Sequence, residues 1–214
     1  MNLIQSKFYE KFSKRFLTEN VALFLYSLIK VQRPQSIIEV GCGYTSPFIA
    51  EAIKDCQNEI MYDTRACIEE YENYTSNYDP KYFVIDNFEM GEEYSEELNY
   101  LNKTGICEFI KCNVEDYIKI NQDQTYDLIW LDYGNGEDYI DSFLTFYNLL
   151  NLGGTLILHS TETHVYGRLF LREIELMKDR SFEMMTFVEP HKKFQNSFTV
   201  FKKVKPYPLY SIYG

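Results

Sequence analysis

Ile37-Ile38-Glu39-Val40-Gly41-Cys42-Gly43-Tyr44-Thr45-Ser46 is the stretch that decides the fold: β-branched residues around an acid, then two glycines before a helix-starting pair. Ile37, Ile38 and Val40 suit a strand buried on both faces, and Pro34 and Ser36 mark where the chain enters it. A helix is expected next, capped by Thr45 or Ser46, with Pro47 in its first turn and Phe48, Ile49, Ala52 and Ile53 as its apolar stripe. Without a Cβ, Gly41 and Gly43 let backbone amides come close to a ligand at the turn. The bend is therefore the expected ligand site.

Downstream, strand-like and helix-like segments alternate. Lys81–Asn87, Ile106–Cys112, Tyr126–Asp132 and Thr155–His159 suit strands, Glu92–Asn102 and Phe143–Leu152 suit helices, and Lys103-Thr104-Gly105 and Gly153-Gly154 act as helix stops. A helix through Tyr166 to Lys178 and strands at Met184–Val188 and Ser197–Val204 follow, the last two as an antiparallel pair. Upstream, Phe12, Phe16, Val21, Leu25, Leu28 and Ile29 recur at helical spacing, with a second helix starting near Thr18 to Asn20.

Several of these segments together resemble the class I S-adenosylmethionine-dependent methyltransferases. Glu39 and the glycines resemble their motif I, with Thr45 where a third glycine is usual. Tyr126–Asp132 resembles motif IV, and Asn148 to Leu158 resembles the segment that joins the fourth helix to the fifth strand. The resemblance implies an α/β fold with a seven-stranded, mostly parallel sheet whose last strand is antiparallel, helices on both faces and an N-terminal helical cap. The expected organisation is a cap over residues 1–33, a Rossmann-like domain over 34–204 with an insertion or lid at 55–80, and an irregular aromatic tail at 205–214. That tail docks on the body or on a second copy of the chain, as in a homodimer.

S-adenosylmethionine is the implied cofactor. Glu39, Gly41, Gly43 and Tyr44 would surround its methionine part and Asn113 its adenine. Asp86 would meet the ribose; it closes the better strand, 43 residues after Gly43, whereas Asp63 stands at the usual spacing of 20 and is the alternative. Asp132 is the first candidate for general base or substrate anchor, followed by His159 and His164, since imidazole takes a proton near neutral pH. Some relatives hold magnesium with an aspartate after the fourth strand and an Asp-Asn pair after the fifth. Here the second place holds His159-Ser160-Thr161, so no metal is expected.

Composition narrows the partners. The 214 residues, 45% hydrophobic, suit one domain, and a net charge of −11 disfavours binding to nucleic-acid phosphates. No apolar run reaches the roughly 18 residues needed to span a bilayer. Five cysteines without metal or disulfide spacing point to a cytoplasmic protein. The aromatic content, 17%, favours a planar or apolar small-molecule acceptor, a biosynthetic intermediate among them, methylated on oxygen or nitrogen. A peptide acceptor, a nicotinamide-dependent oxidoreductase and a non-catalytic assembly protein on the same core are the rival readings.

Overall fold

Val21, Ala22, Leu25 and Ile29 are all enclosed, and their three- and four-residue spacing gives helix α1 (Glu19–Gln32) one apolar stripe. The structure is a computed structural model, and it describes residues 19–62, 78–87, 95–120, 123–133, 139–177 and 180–206. The expected helix upstream of Thr18, Tyr94, the alternative ribose acid Asp63 and the end of the aromatic tail lie outside the described residues. Two compact units are distinguished, one of residues 1–35, 42–83 and 88–108 and one of residues 36–41, 84–87 and 109–214.

In the first unit α1 packs on α2 (Ser46–Tyr62), whose Phe48, Ile49, Ala52, Ile53 and Cys56 are buried. The acidic side of α2 holds both of its helical neighbours. Tyr26 donates its hydroxyl to Asp55 Oδ2 at 2.6 Å, and Tyr100 of α3 (Ser95–Thr104) donates to Glu51. Burial, with the Glu51 carboxylate adding to it, pushes the Tyr100 phenol well above its ordinary range. Helix α3 stops as its sequence indicates: Gly105 has φ +63, and its amide and the Thr104 hydroxyl both donate to Leu101 O, at 3.2 and 2.7 Å. α2 runs on to Tyr62, and residues 63–77 of the expected insertion at 55–80 lie outside the described residues.

The seven strands are β1 (Ser36–Val40), β2 (Lys81–Asp86), β3 (Cys107–Lys111), β4 (Tyr126–Leu131), β5 (Leu150–His159), β6 (Phe182–Val188) and β7 (Ser197–Lys203), in the order β3-β2-β1-β4-β5-β7-β6. β4 runs parallel to both β1 and β5, and β7 runs antiparallel to β5 and β6. This is the expected reversed last strand. Ile37, Ile38, Val40, Leu128, Ile129, Trp130 and Leu131 are all buried, as a central parallel pair with both faces covered requires. Helices α4 (Val114–Ile120), α5 (Tyr139–Asn148) and α6 (Val165–Leu176) belong to the second unit.

Beside β5 and β7 the core is aromatic. Phe143 of α5 has ring centroids 4.6 Å from Phe201, 5.2 Å from Phe170 and 5.8 Å from Phe182. Here the structure departs from the sequence reading: α5 ends at Asn148, and Leu150 already belongs to β5. Buried Lys203 explains the early stop, because its Nζ donates to Tyr147 O at 3.3 Å and to Leu150 O at 2.7 Å. Gly153, at φ +78, then lies within an irregular stretch of β5 where Leu150 pairs with Tyr126 and Thr155 with Leu128. Gly153-Gly154 shapes a strand; it does not end a helix.

Tyr117 and Tyr126 share a buried hydroxyl-to-hydroxyl hydrogen bond. Burial first, and then this bond, raise the Tyr126 phenol above its ordinary 10.0. The raised value makes its share of stability fully present below pH 10.0, and that share is lost as pH climbs above it, where only the unfolded chain ionises. Urea midpoints measured from just below to about one unit above pH 10 should therefore fall, and Tyr126→Phe should flatten the fall. An equally steep fall in the variant would show that the phenol is not held neutral by this contact.

Candidate active site

The parallel strands of the second unit end on one rim, and backbone bonds fix the order of those ends. Gly41 N donates to Ile85 O at 2.9 Å and Asp132 N donates to Val40 O at 2.9 Å. The register Leu131↔Leu158 then places Asp132 next to His159. Gly41, Asp86, Asp132 and His159 thus share the carboxyl edge, on either side of the point where strand order reverses between β1 and β4. Asp86 is half-buried there. Asn87 and Asn113, both exposed, meet through an Nδ2–H···Oδ1 bond of 3.4 Å, which links the ends of β2 and β3. Asn113 also receives the amides of Asp116 and Tyr117 on its carbonyl, so it starts α4.

Glu39 is completely enclosed. At Gly41 the missing Cβ serves the protein itself: φ is +93, and a Cβ would lie 2.2 Å from Asp132 O. In the first unit, Gly43 N donates to Ser46 Oγ at 3.0 Å, and Thr45 O accepts from Phe48 N and Ile49 N. Thr45 therefore holds the cap position by its backbone, and the Ser46 hydroxyl turns back to steady the glycine. Tyr44 is buried, its ring 5.2 Å from that of Phe48, and Cys42 is buried with Sγ 3.7 Å from Ser46 Oγ.

Asp132 Oδ1 and His159 Nδ1 are 2.6 Å apart. The carboxylate side chain is 29% exposed, the imidazole 3%. The Trp130 ring lies 5.3 Å from the imidazole, Tyr139 donates its hydroxyl to the backbone carbonyl of His159 at 2.9 Å, and Phe198 is the register partner of His159 on β7. Burial, and secondarily the Asp132 charge, pushes the Tyr139 phenol well up, so it stays a donor. Next to the pair, the Tyr133 hydroxyl and Ser142 Oγ are 2.6 Å apart.

His164 is not brought into this group. It is exposed at the start of α6, its side chain makes no capping bond, and among the described residues it makes no hydrogen bond to Asp132 or His159. His191 sits in an exposed loop with Nε2 3.6 Å from Glu189.

A family model described as a methyltransferase domain matches residues 38–161, from β1 through the Asp132–His159 pair. The chain belongs to this methyltransferase family. Solved structures agree on the fold, which is the class I Rossmann-like one. An O-methyltransferase from Streptomyces achromogenes involved in tomaymycin synthesis, in complex with S-adenosylmethionine, has a TM-score of 0.62 at 14% identity, covering 87% of this chain and 80% of that one. An O-methyltransferase from Bacillus cereus in complex with S-adenosylhomocysteine has 0.64 at 13% identity, covering 94% and 88%. An rRNA methylase from Streptococcus thermophilus has 0.56 at 14% identity, covering 87% and 95%. No curated protein sequence matches.

Within this methyltransferase three site residues escaped the sequence reading. Tyr139 and Ser142 stand three apart on the first turn of α5, a spacing that gives them a common face, and Asn87 follows Asp86 directly. At the place where some relatives hold magnesium, His159 is engaged by Asp132, and Thr161 Oγ1 bonds Thr199 Oγ1 at 2.8 Å. Among the described residues no group of three or more His, Cys, Asp or Glu is arranged to hold a metal. No described helix is long and apolar enough to cross a membrane.

Gly41→Ala introduces both a strained φ and a backbone collision, and should cost at least about 3 kcal/mol in urea unfolding. A loss below about 1 kcal/mol, the scale of an ordinary glycine-to-alanine change in regular structure, would contradict this close approach of β1 to Asp132.

Proposed function

We propose that this methyltransferase moves the methyl group of S-adenosylmethionine to an oxygen or nitrogen of a small-molecule acceptor without a metal ion, and that residues 34–204 form its catalytic domain. The observation that carries the reading is the shared rim: Asp86, Asn113 and the Gly41 turn stand beside the Asp132–His159 pair on one edge of the sheet. The donor set fits the cofactor. A half-buried carboxylate at Asp86 suits the two ribose hydroxyls, the exposed Asn113 amide suits an adenine edge, and the backbone at Gly41 is assigned to the methionine part.

When bound, the cofactor supplies an electrophilic sulfonium methyl group. The chain's own part is to orient the acceptor, remove its proton and exclude water. Asp132, paired with His159, receives that proton. His164, a neighbour in sequence only, is assigned no step. Ser160 and Thr161 replace the oxygen ligands that a hard cation needs, which favours proton removal by the protein over metal activation. The charge of −11 favours a small acceptor over a nucleic acid, and Cys42, Cys56, Cys107 and Cys112, all free thiols, accord with the cytoplasm. Membership of the methyltransferase family displaces the nicotinamide and assembly readings.

Calorimetry with S-adenosylhomocysteine, followed by transfer of a tritiated methyl group from S-adenosylmethionine into a protein-free metabolite extract, tests the proposal. Binding and label in the small-molecule fraction are expected, and Asp132→Asn should lower the transfer rate about 10²- to 10⁴-fold while affinity for S-adenosylhomocysteine holds within about threefold. Absence of binding at millimolar nucleoside, or label only in added RNA or protein, would refute it.

A further inference from the structure

We infer that His159 is a positioning residue, acting only through Asp132, and that the Asp132 carboxylate is the group that meets the acceptor. The inference rests on the methyl-transfer reading and divides the labour within its pair. Three observations carry it. The imidazole is 3% exposed against 29% for the carboxylate, so a molecule arriving from solvent reaches Asp132 first. His159 packs its ring against Trp130, and its backbone lies within β5, paired with Phe198 of β7 and bonded by Tyr139 at the carbonyl, whereas Asp132 is anchored at its backbone amide and follows the end of β4. Among the described residues the carboxylate is hydrogen-bonded at Oδ1, by the 2.6 Å bond, and its second oxygen is assigned to the acceptor.

The order of groups is acceptor, carboxylate, imidazole, the reverse of hydrolase triads, in which the histidine touches the nucleophile and the acid lies behind it. With Nδ1–H donating to Oδ1, the imidazole fixes the carboxylate's rotation, as outer partners orient a working ligand elsewhere. The step balances as follows. The acceptor's lone pair forms the bond to the methyl carbon, the C–S bond breaks with its electrons going to sulfur, and the acceptor's proton moves to the second oxygen of Asp132. Among the described residues, the titratable groups that bond His159 are Asp132 from β4, at the ring, and Tyr139 from α5, at the carbonyl; Trp130 and the register partner Phe198 carry no charge.

Two measurements test the inference. The first is a double-mutant cycle on thermal unfolding with Asp132→Ala, His159→Leu and the double variant. The losses in Tm are expected to be non-additive, because either change alone breaks the same bond, and additive losses would overturn the pairing. The second uses the tritiated-methyl assay. His159→Asn keeps an N–H near the position of Nδ1, and should retain transfer within about tenfold of the parent with the acidic limb of its pH profile in place. His159→Leu should fall at least about 100-fold, with S-adenosylhomocysteine affinity unchanged in both. If His159→Asn instead falls as far as Asp132→Asn and loses the acidic limb, the imidazole is the base and the inference fails. A parent protein with non-additive unfolding but no methyl transfer would refute the functional reading and leave the pairing intact.

Discussion

Main-chain contact between strand ends is the constraint on which the site depends. The amide of Asp132 bonds the carbonyl of Val40, and the amide of Gly41 bonds the carbonyl of Ile85. Three strands are thereby held in step at the edge where open α/β sheets place their ligands. The closeness is possible only because Gly41 carries no side chain and adopts φ +93. Rossmann-type turns are usually discussed through what their glycines offer a nucleotide. Here the first glycine is already required by the protein's own backbone.

From that constraint the electrostatics of the rim follow. Once Asp132 is pinned beside β1, the β4/β5 register presents His159 to it, and a short hydrogen bond joins them at a boundary between core and solvent. An unpartnered carboxylate at this depth would be costly, and an imidazole enclosed by Trp130 and β7 would be costly without an acceptor for its N–H. Each removes the other's penalty. The pair is stable because it is mutual, and of the two groups the carboxylate is the more exposed. Tyr139, kept protonated by burial and by Asp132, braces the same residue from α5.

Much of the fold could be read from local pattern. The β-branched run at Ile37, the apolar run at Leu128, the apolar stripe of α2 and the stop at Gly105 follow from propensity and periodicity, and each appears where expected. Elements set by distant residues could not be read this way. The end of α5 depends on Lys203, more than fifty residues away, reaching back to Tyr147 and Leu150, and this turned the glycine pair at 153–154 from a helix stop into a strand irregularity. In the candidate site, Asp132 and His159 were legible as separate strand-end residues, but not as partners. His164 looked equivalent to His159 in sequence, and only the chain's turn into α6 separates them. The Asn87–Asn113 contact joins two strand ends whose adjacency is a property of sheet order alone.

The most direct measurement of the central claim, a nucleoside site on the rim shared by Asp86, Asn113 and Asp132, is a crystal structure of the protein soaked with S-adenosylhomocysteine. The account expects the ribose hydroxyls on the Asp86 carboxylate, the adenine beside Asn113 and the thioether sulfur turned toward the open side of Asp132. A nucleoside lodged elsewhere, or one on the rim whose ribose leaves Asp86 untouched, would contradict it.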